Sequence, residues 1–326
     1  MIIKTARLSH NNKVSEGLKN FSNISISGYK FVENNKEICN PKEYDTFIWT
    51  KEILTPSEVK LWEKSIIDEI ERGKNIYNMA RLYMVSHNKK LSSLADRYGI
   101  EYFDCSDPNA FDKYREYAKL GLKGIEAKII TIMGTGRKCG KFTTSLFLRN
   151  ELSKYLKVGT VGTEPHSKLC GIDEMVIPQV IPICHVASTL YGAIKKVDLN
   201  NKDLIIVSSQ TGVFSDPLEV GTGRGGGVVS LSILQGSKPD YIILASNTLN
   251  TMEIERNIRA IEILSNKRVI GITINGKYAG EAYSNEDYRD ILNNISEEFN
   301  MPVADVIRGI YSKDFVKSIM EQCSEK

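Results

Sequence analysis

The sequence has no uninterrupted apolar run of about 18 residues, and this excludes a membrane-spanning helix. It has no excess of one charge: 43 basic and 40 acidic residues leave a formal net charge of +3. Lysine and arginine are scattered, with no basic run carrying interleaved aromatics, so neither nucleic acid nor an anionic membrane is an expected partner. The opening MIIKTARLSHNNK lacks the basic-then-apolar shape of an export signal. The six cysteines (Cys39, Cys105, Cys139, Cys170, Cys184, Cys323) show no paired spacing, which fits free thiols in a reducing cytoplasm. His166, Cys170, Cys184 and His185 match no familiar zinc spacing, so no metal site is expected. The N-terminal half also lacks a Gly-x-Gly-x-x-Gly turn and a convincing Tyr-x-x-x-Lys helix, which disfavours a dinucleotide-dependent epimerase.

What is present is a chain of 326 residues with 41% hydrophobic content, long enough for two cores. In the first part NISISGYKFV, YDTFIWT and IEYFDCS read as strands, with NIYNMARLYMV and a short helix near LSSLADRYG ahead of the last of them. Between them Thr55-Pro56-Ser57-Glu58 reads as a helix start with a capping box, Val59 to Ile70 repeats at helical spacing, and Gly73 closes the segment. Strand–helix–strand order points to a parallel, Rossmann-like sheet over residues 1–115, with residues 109–125 as a helical connector. Residues 116–326 carry further strands at IITIM, KVGTVGT, DLIIVSS, YIILAS and RVIGITIN, with helices between them, among them Met252–Leu264. The predicted fold class is α/β: a Rossmann-like N-terminal domain and a P-loop NTPase-like, doubly wound C-terminal domain.

The strongest local signal is Gly134-Thr135-Gly136-Arg137-Lys138-Cys139-Gly140-Lys141, set between a strand and a helix. Glycines let such a loop curl so that backbone N–H groups converge on an anion, and the helix adds its positive dipole end. Lys141 supplies a point charge for terminal phosphates. The residue after it, where Ser or Thr ordinarily serves Mg²⁺, is Phe142; Thr143 and Thr144 follow. The strand DLIIV ends in Ser208 and Ser209 without a carboxylate, and Asp216 and Glu219 are the nearby loop acids. Fast Mg²⁺-dependent hydrolysis is therefore not expected; a phosphate-bearing cofactor held by backbone and lysine is.

Other candidates lie at strand ends expected on the carboxyl edge of the sheet, where open α/β folds bind ligands. Thr163, Glu164, His166 and Lys168 fall after the second strand of this domain, with Glu164 and His166 as base or acid, or as parts of a plain polar loop. Gln210 is a candidate substrate contact, and Arg224, in the glycine-rich VGTGRGGGVVS, could reach a phosphate or carboxylate. Asn275, ending GITIN, could read a nucleobase or shape the turn with Gly276.

From LADRYGIEYFDCSDP through GTGRKCGKFTT, TEPHSK, SSQTGVFSDP and LQGSKPDYIIL to GITIN and MPVADVIRG, the chain resembles the two-domain family that includes D-glutamate N-acetyltransferase. Its C-terminal domain resembles dethiobiotin synthetase. GKFTT is the most specific match, because the family also places a bulky apolar residue between the lysine and the two threonines. The chain departs from the family at Thr163–Ser167 and around Gln210, as a diverged member acting on another amino acid or carboxylate would. The resemblance implies a transferase that acylates the amine of a small amino acid, with acetyl-CoA on the loop. The attacking amine must lose a proton, and Glu164 or His166 is the candidate base. Two alternatives stand beside it: an ATP-dependent ligase or kinase of the dethiobiotin synthetase type, using Mg²⁺, or a non-catalytic nucleotide-sensing module. A homo-oligomer is expected on size and class.

Overall fold

The computed structural model describes residues 1–31, 43–81, 85–214, 225–280 and 283–324. The chain divides into two compact units: Met1–Phe111 together with Pro165–Gly171, and Asp112–Glu164 together with Ile172–Lys326.

The first unit is a parallel sheet of β1 (Thr5–His10), β2 (Ser25–Phe31), β3 (Thr46–Trp49), β4 (Asn75–Asn78) and β5 (Tyr102–Asp104), in the order β2-β1-β3-β4-β5. Helices α1 (Lys13–Phe21), α2 (Pro56–Glu71) and α3 (Val85–Tyr98) connect the strands. The start of α2 follows from its sequence: the Thr55 N–H donates to Glu58 Oε2 at 2.8 Å, and Pro56 stands in the first turn, where no N–H is needed. Gly73, just past the helix, takes φ +73°, which a side chain would disfavour. Trp62, Ile66 and Ile70, four residues apart, are fully buried on one stripe, each side chain worth about 1.5–3 kcal/mol of burial. They pack with Phe47, Trp49 and Ile76 of the sheet.

In this sheet the connections after β1 and β3 leave in opposite directions, the place where such folds take a nucleotide. Here the chain fills it with its own polar groups. Asn12 caps α1 by accepting from the N–H groups of Val14 and Ser15, both at 3.1 Å, and donates to the Thr50 carbonyl at 3.1 Å. The Ser9 hydroxyl accepts from Thr50 N–H at 2.8 Å. Two N–H groups of the first turn of α1 are thus already taken by the Asn12 side chain.

The division between the units falls within α4 (Asn109–Gly121). The second unit is a seven-stranded parallel sheet in the order β12-β11-β10-β6-β9-β7-β8. Its strands are β6 (Lys128–Gly134), β7 (Val158–Gly162), β8 (Glu174–Met175), β9 (Leu204–Ser208), β10 (Tyr241–Ser246), β11 (Val269–Ile274) and β12 (Val303–Ala304). Its helices are α5 (Lys141–Leu152), α6 (Ile183–Asp198), α7 (Gly226–Ser237), α8 (Thr251–Ser265), α9 (Gly276–Ala279), α10 (Asn285–Phe299) and α11 (Ser312–Ser324). Alternation along the central strands feeds two cores. Ile130, Ile132, Leu204, Ile206 and Ile243 face Leu148 of α5 and Phe315 of α11. Met133, Ile242, Leu244 and Ile272 face Ile254, Ile258 and Ile261 of α8 and Leu292 of α10. Helices therefore cover both faces, and every strand pair runs parallel, so all loops after the strands gather at one edge. Among the described residues no helix is long and apolar enough to cross a membrane.

Candidate functional site: a phosphate loop at the carboxyl edge

β6 lies in the middle of the second sheet and ends at Gly134, directly before the loop. Lys141 opens α5 but does not extend into solvent: it is 7% exposed, and its Nζ donates to the Gly136 carbonyl at 2.7 Å. The side chain crosses over Gly134, where a Cβ would stand 2.8 Å from Lys141 Cδ and 2.9 Å from Nζ. Glycine at 134 is therefore what leaves room for the lysine. Lys138 and Gly140 hold φ of 61° and 90°, the left-handed turns that coil the loop.

Two asparagines from neighbouring strand ends hold the outer side of the loop. Asn247 Nδ2, just past β10, donates to the Arg137 carbonyl at 2.9 Å, and Asn275 Nδ2, just past β11, donates to the Lys138 carbonyl at 2.7 Å. In a trans peptide the C=O and the next N–H point in opposite directions. Fixing those two carbonyls therefore turns the N–H groups of Lys138 and Cys139 away from the asparagines. Inside the loop, Cys139 Sγ donates to the Gly136 carbonyl at 2.8 Å and accepts from Gly136 N–H at 3.1 Å, so the buried thiol acts as a loop brace. Thr135 Oγ1 lies 3.3 Å from Asn247 Oδ1. Thr144 is buried with its hydroxyl 3.1 Å from that of Thr273, while Phe142 and Thr143 are half-buried.

The segment that follows β9 lies against the loop at Gly212. A Cβ on Gly212 would stand 2.5 Å from the Thr135 carbonyl oxygen and 3.0 Å from Gly136 Cα. Ser208 pairs with Ile132, and its side chain shares the α5-covered face with Ile206 and Ile132. Where a carboxylate would hold a divalent cation, this strand thus brings hydroxyls.

The structure separates the other sequence candidates. Gln210 is 4% exposed with both ends of its amide engaged: Nε2 donates to the Thr163 carbonyl, and Oε1 accepts from Gln179 Nε2. Thr163 is fully buried and donates to the Ser208 carbonyl at 2.9 Å. Both therefore knit β7 to β9. Asn275 likewise engages both ends of its amide, on Lys138 and on the Lys277 N–H, so it shapes the turn and holds the loop. Glu164 is half-buried at the end of the second unit's segment, but from Pro165 the chain belongs to the first unit. There Tyr77 donates to the Pro165 carbonyl at 2.8 Å, and His166 lies against α1, with Nε2 3.5 Å from where a Cβ on Gly17 would be. Burial holds the His166 pKa down to about 4, against a smaller raising effect of the Glu52 charge, so the ring is neutral at pH 7. Lys168 is exposed on the same segment. Arg224, Asp216 and Glu219 lie outside the described residues. Among the described residues, no group of three or more His, Cys, Asp or Glu side chains is arranged to hold a metal ion.

Residues 116–315 match the domain of unknown function DUF1611, described as its C-terminal P-loop domain. This chain belongs to the DUF1611 family. Residues 17–108 of this DUF1611 protein match the family's N-terminal, Rossmann-like domain. Its fold is shared with the crystal structure of a DUF1611 family protein from Anabaena variabilis, at 15% identity and a TM-score of 0.73, covering 98% of this chain and 100% of that one. Lesser similarities are to a nucleotide-binding protein in complex with ADP from Archaeoglobus fulgidus (16% identity, TM-score 0.41, 58% of this chain and 84% of that one). The hydrogenase maturation factor HypB from the same organism is similar at 12% identity (TM-score 0.42, 66% of this chain and 100% of that one). No curated protein matches the DUF1611 chain.

The contacts that Asn247 and Gly212 make with the loop carry no motif in the sequence. Their signal was position: each lies within a few residues of the end of a buried strand, on the edge where the loop is built.

Proposed function

We propose that the Gly134–Lys141 loop holds the phosphates of a nucleotide-type cofactor, and that the protein transfers the acyl group of acetyl-CoA to the amine of a small amino acid. The observation that carries this reading is the pairing of a preformed, lysine-bearing loop with a β9 end made of Ser208 and Ser209. Backbone N–H groups, the α5 dipole and one ammonium suit a phosphate that needs only to be held. Phosphoryl transfer would in addition call for a carboxylate-anchored Mg²⁺.

In the proposed reaction the amine nitrogen attacks the thioester carbonyl, the new C–N bond forms as the C–S bond breaks, and the CoA thiolate leaves. The amine proton passes to a base. Glu164 fills that role in this reading, because His166 is buried against α1.

The test is calorimetry with acetyl-CoA, and with ATP in the presence and absence of Mg²⁺, on the wild type and Lys141→Ala. A charge-assisted contact contributes about 1.5–3 kcal/mol, so acetyl-CoA affinity should fall by about 10- to 150-fold in the variant. Mg²⁺-dependent ATP binding without affinity for acetyl-CoA would replace this reading with an ATP-dependent ligase or kinase. Binding of either nucleotide with no turnover on any amine or carboxylate would favour a sensing module.

A further inference from the structure

Asp305 directly follows β12 and is fully buried. Its carboxylate accepts four hydrogen bonds. Oδ2 takes the Gly276 N–H at 2.9 Å and the Tyr288 hydroxyl at 3.1 Å; Oδ1 takes the N–H groups of Ile307 at 2.9 Å and Arg308 at 3.0 Å. Burial and the Asp305 charge raise the Tyr288 phenol, which keeps it a donor. Arg308 closes the other side of the same turn: Nη2 donates to the Gly276 carbonyl at 2.8 Å and Nη1 to that of Gly280 at 3.3 Å. Gly276 has no space for a side chain, since a Cβ would stand 2.2 Å from Asp305 Oδ2. Both polar groups of Gly276 are therefore clamped, one by Asp305 and one by Arg308.

The residue before Gly276 is Asn275, whose amide holds the Lys138 carbonyl at 2.7 Å. The same turn touches the loop a second time: a Cβ on Gly140 would lie 3.3 Å from Ile307 Cδ1. A shift of the Gly276 peptide would carry Asn275 with it and free the Lys138 carbonyl to rotate. The N–H of Cys139, in the same peptide plane, would then lose its direction.

We propose that Asp305 is a positioning residue for the phosphate loop, acting through Gly276 and Asn275 on the Lys138–Cys139 peptide. The proposal rests on the reading that this loop binds phosphate. It assigns to Asp305 a role in ligand affinity that its distance of more than 160 residues along the chain conceals.

A double-mutant cycle tests it, with ADP as the calorimetric probe on the full chain. Asp305→Asn keeps an acceptor for one pair of donors and turns an NH₂ group toward the other. Asn275→Ala removes the contact to Lys138. Each substitution should weaken ADP by about 3- to 10-fold, the effect of one hydrogen bond, and the double variant should bind no worse than the weaker single one. Multiplying effects in the double variant, or unchanged affinity in Asp305→Asn beside a loss in Asn275→Ala, would overturn the relay. If Asp305→Asn does not fold, Arg308→Gln releases the opposite side of the Gly276 peptide. It should show the same loss, also masked by Asn275→Ala, and unchanged ADP affinity there would equally overturn the proposal. Lys141→Ala, measured alongside, separates the two ideas: ADP affinity unaffected by that substitution refutes phosphate binding itself, whatever the cycle shows.

Discussion

Gly134→Ala probes the loop without altering any charge. The new methyl carbon would stand 2.8 Å from Lys141 Cδ, 2.9 Å from Nζ and 3.2 Å from Cγ, all below van der Waals separation. The obstructing atoms are the far end of a flexible side chain, so the fold relieves the clash by swinging the lysine aside. A cost of about 1 kcal/mol in stability is expected, at the low end for overpacking. The Gly136 carbonyl keeps a donor, because Cys139 Sγ also reaches it at 2.8 Å. Binding should suffer more. An ammonium displaced from its station forfeits a charge-assisted contact of about 1.5–3 kcal/mol, or about 10- to 150-fold in affinity. Calorimetry with acetyl-CoA and ADP, beside urea denaturation, separates the two quantities. Gly134→Ala and Lys141→Ala should also fail to add, since both remove the same charge from the same place. Wild-type affinity in Gly134→Ala, or a loss that multiplies with that of Lys141→Ala, would refute the argument that Gly134 exists to seat the lysine.

Gly212→Ala would push a methyl group into the Thr135 carbonyl at 2.5 Å, and this neighbour is backbone that cannot swing away; the affinity for ADP should fall several-fold, or about 1 kcal/mol, while thermal unfolding shows a folded protein. Gly192→Ala meets the Tyr114 carbonyl at 1.7 Å where α6 packs on α4, so it should lower stability by about 3 kcal/mol or more, seen as a large drop in melting temperature or loss of soluble protein. The His166 pKa is held down to about 4, below its ordinary 6.5, so the unfolded chain binds the extra proton first as pH falls. The stability tied to the neutral ring is complete above pH 6.5 and is lost between pH 6.5 and 4, on the order of 3 kcal/mol at most. Urea midpoints across that range should fall more steeply for the wild type than for His166→Gln, and parallel curves would contradict the assignment.

The elements visible from sequence were those whose cause is local. The Thr55–Glu58 capping box and the stripe Trp62, Ile66, Ile70 define α2 from within the helix itself. YIILAS is β10 residue for residue, and Met252–Leu264 is α8 short of one residue at each end. The phosphate loop was legible because glycine, lysine and helix start must be contiguous to work. β1 was harder to see: TARLSH alternates only partly between half-buried and buried positions, and its burial comes from β2 and β3 pairing on either side. The roles of Gln210, Thr163 and Asn275 were hidden for a different reason. A polar residue at a strand end is equally suited to a ligand or to a neighbouring carbonyl, and only the partner strands decide which. His166 is the sharpest instance. Which unit its loop packs into is set by contacts such as Tyr77 with Pro165, 88 positions apart, and no local pattern around residue 166 announces that partner.

The seven residues Pro165–Gly171 bear on how such a protein can be taken apart. A fragment ending at Phe111 would keep all five strands of the first sheet yet lose the loop that covers Tyr77 and lies against Gly17. The reciprocal fragment would carry that loop with nothing to receive it. The halves are thus not interchangeable cassettes: exchanging the N-terminal half between relatives transplants a surface that must still fit a short loop encoded in the other half. Swaps that move the 165–171 loop together with the first 111 residues should give soluble chimaeras more often than swaps cut at the connector alone, and sequence change in one piece constrains change in the other.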